Sequence, residues 1–182
     1  MLNMLKKYRF HILIWLFMFG YLTFAPDLYV RFVLKDGKPI QFHEKLPAAT
    51  DMSSFWINRI DPVVSQGQVL YNLWGWAFLR EEPDQSQYER FIVLRSDSQD
   101  YYFLAQTNER LDVEEAFPEL TIDVSNSGFS TLIAKDTIRP GSYHIGIIFR
   151  HQSGNIIYLV ATEPMLVRTA NQLQLISDNS QP

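Results

Sequence analysis

The 182-residue chain contains no cysteine, which removes any disulfide framework, any thiolate zinc site and any cysteine nucleophile. Glycine is scarce and its eight copies are scattered singly, so neither a collagen repeat nor a phosphate-cradling glycine loop can be built. Positive charge is also short, with 16 Lys and Arg against 20 Asp and Glu, the wrong balance for a nucleic-acid binder. No Asn-x-Ser/Thr sequon occurs, which favours a bacterial or archaeal source, and no repeat of solenoid or propeller length is present. What the chain does have is apolar content: 47% hydrophobic and 14% aromatic residues exclude low-complexity disorder and supply one ordinary core.

The charge is unevenly placed. Residues 1–26 hold three bases (Lys6, Lys7, Arg9) and no acid, a head of +3 before a body of −7. Residues 10–25 then read FHILIWLFMFGYLTFA, an apolar run that predicts a transmembrane helix over residues 10–27 behind a basic head over 1–9. Phe10, Ile12, Ile14, Trp15, Phe17, Phe19 and Tyr21 would be its membrane-facing side chains, and Gly20 its point of close helix approach. Lys6, Lys7 and Arg9 would hold the N terminus in the cytoplasm. A cleaved signal peptide is the rival reading, since Thr23-Phe24-Ala25 has cleavage-like spacing; Pro26 directly afterwards opposes it.

Beyond the head, Lys35-Asp36-Gly37-Lys38 between two apolar runs predicts a juxtamembrane hairpin, and residues 28–54 as a whole read as hairpin plus linker. From Phe55 the period is close to two. Residues 68–79 alternate Tyr71, Leu73, Gly75 and Ala77 with Trp74, Trp76 and Phe78, and the aromatic set is taken as the core face. Hairpins are expected across residues 96–100 and 151–155, and a one-turn helix at Asp112–Pro118. Seven or eight such strands predict a mainly β fold, an antiparallel immunoglobulin-like β-sandwich over residues 55–170, followed by a polar tail over 171–182.

No constellation names a reaction. The four histidines, His11, His43, His144 and His151, have no metal-ligand spacing, there is no nucleophile elbow around a serine, and the acids from Asp112 to Asp123 lack a calcium-loop pattern. No metal, no cofactor and no catalytic residue is therefore expected. Among the aromatics, Trp56, Tyr101 and Tyr102 are candidate surface contacts, because neighbouring residues of a strand point to opposite faces.

Several short pieces occur as a set: Gly75-Trp76-Ala77-Phe78, Arg110-x-Asp112-Val113, Ser127-Gly128-Phe129, Pro140-Gly141-Ser142-Tyr143 and Thr169-Ala170-Asn171. Across residues 68–171 the set resembles uncharacterised bacterial envelope proteins that carry a membrane-anchored, Ig-like β-sandwich domain. The resemblance implies an extracytoplasmic domain whose motif residues, Trp74, Trp76, Phe78, Arg110, Asp112, Phe129 and Tyr143, serve packing, and it carries over no catalytic residue. The functional expectation is a non-catalytic accessory or scaffolding subunit, single-pass in the cytoplasmic membrane, with its C-terminal domain outside. Its partners would be the lipid bilayer and other membrane or envelope proteins, with no nucleic acid. The alternative is a cell-surface glycan-binding module.

Overall fold

A strand with apolar residues on alternate positions must bury one face, and two such strands bury theirs best against each other across a sheet. The computed structural model describes residues 14–21, 23–25, 37–49, 54–65, 67–161 and 164–176. Its strands are β1 (Phe55–Ser65), β2 (Gln68–Ala77), β3 (Tyr88–Arg95), β4 (Asp100–Asn108), β5 (Gly128–Ala134), β6 (Gly141–His151), β7 (Ile156–Val160), β8 (Met165–Arg168) and β9 (Leu173–Ile176), with a short helix at Leu111–Ala116. Every pairing is antiparallel, along the path β1-β2-β5-β4-β3-β6-β8-β9. β6 carries β8 along its first residues and β7 along the rest, so β7 and β8 act as one interrupted strand. β9 comes back alongside β1, and the sheet curls into a nearly closed barrel.

The interior is filled from every wall: Leu73, Ile92, Phe103, Phe129, Ile147 and Phe149 are each buried to within 1%. β2 presents Tyr71, Leu73 and Ala77 to this interior and turns Trp74 and Trp76 outward. The close approach of β1 and β5 explains Gly75, where a Cβ would collide with the Trp56 carbonyl and lie 2.5 Å from Cζ of Phe129. Two smaller clusters sit outside the barrel. Phe78, Val113 and Val124 form one beneath the helix Leu111–Ala116, with Trp76 and Phe117 packed against it. In the other, Phe91, Val93, Ile148 and Tyr158 are covered by Ile40, Phe42 and Leu46 of an extended strap. The strap is held by the Ile40 N–H donating to the Tyr102 carbonyl at 2.7 Å, and by Glu44 paired with Arg150 at 3.1 Å.

Two expectations are corrected here. The strands are not a two-sheet immunoglobulin-like sandwich, because β4 joins what would have been separate layers. It pairs with β3 from Asp100 to Ala105, then with Gly128–Ser130 of β5 through Gln106, Thr107 and Asn108. Periodicity reports which way a residue faces, not which strand lies beside it, so a sandwich and a barrel read alike in sequence. Nor does the single-pass anchor stand: among the described residues no helix is long and apolar enough to cross a membrane. The signal-anchor reading, the membrane localisation, the bilayer and envelope partners and the accessory-subunit role built on them are withdrawn together. Ile14, Trp15, Phe17, Phe19 and Tyr21 are helical and exposed, and Gly20 lies among them. Lys6, Lys7, Arg9, Phe10, Ile12 and most of the expected juxtamembrane hairpin lie outside the described residues. At the other end, Leu173–Ile176 of the expected tail are paired as β9.

Candidate ligand site at the barrel mouth

Inward positions of β3 recur every second residue, so Arg90 shares the interior face with Ile92 and Leu94 and opposes Ala105 of β4 and Phe149 of β6. An arginine is thereby built into the end of the core. It is 3% exposed; its Nη1 donates to the Gly128 carbonyl at 3.2 Å, and its guanidinium carbon lies 5.3 Å from the centre of the Phe149 ring. Its Nε has no partner, and among the described residues no carboxylate pairs with it. Burial alone pushes its pKa down to about 10, which leaves it a cation at neutral pH. Gly128 is obligatory in this arrangement, because a Cβ there would lie 2.5 Å from Cγ of Arg110 and 2.7 Å from the Asn108 carbonyl oxygen.

Above Arg90 opens a cavity of about 290 Å³ whose walls include Tyr88, Thr107 and Ser127 and whose rim carries Asp84 and Asp123. Ser127 is 1% exposed and its Oγ has no hydrogen-bond partner. Two loops shape the rim. In the first, the Gln85 side chain accepts from Leu79 N–H at 3.0 Å and donates to the Leu79 carbonyl at 3.4 Å, acting as a strand neighbour for the end of β2. Asp84 then accepts from Ser86 N–H, Ser86 Oγ and Gln87 Nε2 at 3.0, 2.6 and 2.9 Å. In the second loop, Asp123 accepts from Ser125 N–H and Oγ at 2.8 and 2.6 Å. These bonds hold both carboxyls below the usual aspartate pKa, so both are ionised and accept only. The mouth has a buried positive floor and an exposed negative rim.

Two other hollows lack such an unmet charge. At the opposite barrel end, a cavity of about 400 Å³ is bordered by Tyr101 and Tyr143. There Tyr143 donates to the Arg139 carbonyl at 2.6 Å, while Tyr101 donates to Gln99 and accepts from Arg139 N–H, each at 3.2 Å. Beside the strap, an open groove of about 560 Å³ contains Arg150, which is already paired with Glu44 and Glu89. Volume therefore does not decide the site; an uncompensated buried cation does.

No family model, no curated protein and no solved structure matches this chain. The resemblance to envelope β-sandwich proteins is accordingly corrected, as the barrel topology already requires.

The residues singled out in the sequence are dispersed. Phe129 and Tyr143 are in the barrel core, and Phe78 is fully buried in the cluster beneath the helix. Trp76 is half-buried and stacks on Phe78 at 5.7 Å; half-buried Trp74 has the Arg59 guanidinium carbon 5.6 Å from its ring centre. Arg110 grips Asp112 through two bonds of 2.7 Å and reaches Asn58 at 3.1 Å, which clamps the helix start to β1. Trp56 is exposed, Tyr101 is buried, and Tyr102 is stacked on Phe42 at 4.9 Å, so the three form no shared platform. Of the cavity, only Ser127 stood in a quoted motif. Arg90 belongs to none of the motifs, and its signal in the sequence is that its place among Ile92 and Leu94 puts a charge on the core alternation.

His151 and Ser153 come together, with Ser153 N–H and Oγ at 3.1 and 2.7 Å from Nδ1, and Gln87 Oε1 lies 3.1 Å from Nε2. Nδ1 accepts from the Ser153 amide, so Nε2 carries the proton and gives it to an amide oxygen. A turn lock results, without the carboxylate that orients the histidine of a triad. Among the described residues no group of three His or acidic side chains could hold a metal ion.

Proposed function

We propose that the protein is a ligand-binding β-barrel that acts by binding and not by catalysis, with a small polar ligand seated at the barrel mouth on Arg90. The observation that carries this reading is a 3% exposed guanidinium with an unpartnered Nε beside an open cavity. Burying a charge without a counter-ion is costly, and an external group that completes its hydrogen bonds explains its retention. A barrel mouth is also a recurrent place for small ligands, since the wall strands fix the floor while the connecting loops set the rim. At the rim, Asp84 and Asp123 are ionised and already engaged by local donors, which suits them to accept from a bound ligand.

The test is an NMR screen of the full chain against neutral, cationic and anionic small molecules. Shifts confined to the amides of residues 84–90 and 123–128 are expected with at least one class. Binding that maps elsewhere, or none at all, contradicts the proposal.

A further inference from the structure

Resting on that reading of the mouth, we infer that the ligand is a small zwitterionic carboxylate of the amino-acid or short-peptide class, its carboxylate on Arg90 and its ammonium toward Asp84 and Asp123. The floor offers one cation. Its Nη1 is committed to the Gly128 carbonyl and its unpartnered Nε is closed to solvent, so an acceptor entering the cavity draws the guanidinium toward the mouth and then meets the edge bearing Nε with two oxygens side by side. A carboxylate matches one such edge. A phosphate dianion would meet a single guanidinium and two carboxylates, because no lysine and no second arginine lines the cavity. The rim carboxylates are acceptors only, so they favour a ligand whose far end carries donors. The volume of about 290 Å³ lies at the small end for ligand pockets and suits a molecule of a few residues or fewer.

The test titrates the full chain with glycylglycine, N-acetylglycylglycine (carboxylate without ammonium), glycylglycinamide (ammonium without carboxylate) and inorganic phosphate, following the Ser127 and Gly128 amides by NMR. Glycylglycine is expected to bind at least about tenfold more tightly than either truncated probe, the factor one lost charge-assisted contact produces, with phosphate weakest. Arg90→Lys should weaken glycylglycine by at least about tenfold, because an ammonium cannot offer the paired donors. In the surface double variant Asp84→Asn/Asp123→Asn, which leaves the core untouched, the lead of glycylglycine over N-acetylglycylglycine should disappear. If glycylglycinamide or phosphate binds as well as glycylglycine, or the double variant keeps the wild-type preference, the inference is overturned while the mouth remains a ligand site. If no probe and no wider fragment set shifts the mouth, both readings fall.

Discussion

Arg90 and Phe149 face each other across the β3–β6 pairing, the guanidinium carbon 5.3 Å from the ring centre, so the floor of the mouth is a cation lying on an aromatic face at the end of the core. The ring and the Gly128 carbonyl compensate the charge in part and leave Nε unmet.

Arg90→Met should therefore leave the fold intact and stabilise it by up to about 2 kcal/mol, since a buried ion that only one carbonyl and one ring compensate, with no counter-ion, is replaced by an apolar side chain of similar length. Urea unfolding measures this. A loss beyond about 3 kcal/mol would make Arg90 a structural residue.

Gly75→Ala should destabilise by about 1–3 kcal/mol, because the added methyl collides with the Trp56 carbonyl and the Phe129 ring, and the barrel wall cannot open without disturbing β1. A thermal midpoint equal to that of the wild type would show that the β1–β2–β5 wall is looser than described.

Phe42→Ala should cost about 2 kcal/mol and expose the outer cluster to a hydrophobic dye. The ring is half-buried, stacked on Tyr102 at 4.9 Å and edge-on to Phe91 at 5.7 Å, so the expected loss is roughly half that of a core phenylalanine. Unchanged dye binding would mean that the strap does not protect the sheet.

Acid should loosen the mouth. Asp84 and Asp123 have folded pKa values below their ordinary 3.8, so their stabilisation is fully present above that value and is lost as pH falls through the lower folded ones. Hydrogen-exchange protection at the Ser86 and Ser125 amides, taken relative to the intrinsic rate at each pH, should fall below about pH 4, and Asp84→Asn should remove that loss of protection at Ser86. Protection at these amides that is unchanged down to pH 2 would contradict the rim bonds.

The sequence made much of the local structure legible. The turns at residues 96–100 and 151–155 join β3 to β4 and β6 to β7, and the helical turn near Asp112 is the helix Leu111–Ala116. What period two cannot carry is direction when both faces of a strand are covered. β3 alternates Phe91 and Val93 under the strap with Ile92 and Leu94 in the barrel, and all four are buried. For the same reason the alternation of β2 points to its aromatic face as core, whereas the main core uses Leu73 and Ala77 and leaves Trp76 to the smaller cluster. Whether the strands form one continuous sheet or two layers depends on three residue pairs between Gln106–Asn108 and Gly128–Ser130, which leave no periodic trace. Arg90 was legible in principle as the one charge on the inward alternation of β3. Its missing partner was not, since that depends on the loops that reach the mouth.

A mouth site anchored on Arg90 is tested most directly by the ¹H–¹⁵N signal of the Arg90 Nε–H, assigned by its loss in Arg90→Met. Without ligand it should resonate where unbonded guanidinium protons do, and saturating glycylglycine should move it downfield as the carboxylate accepts its proton. A signal already downfield without ligand, or one that does not move while the ligand binds elsewhere, would contradict a mouth site anchored on Arg90.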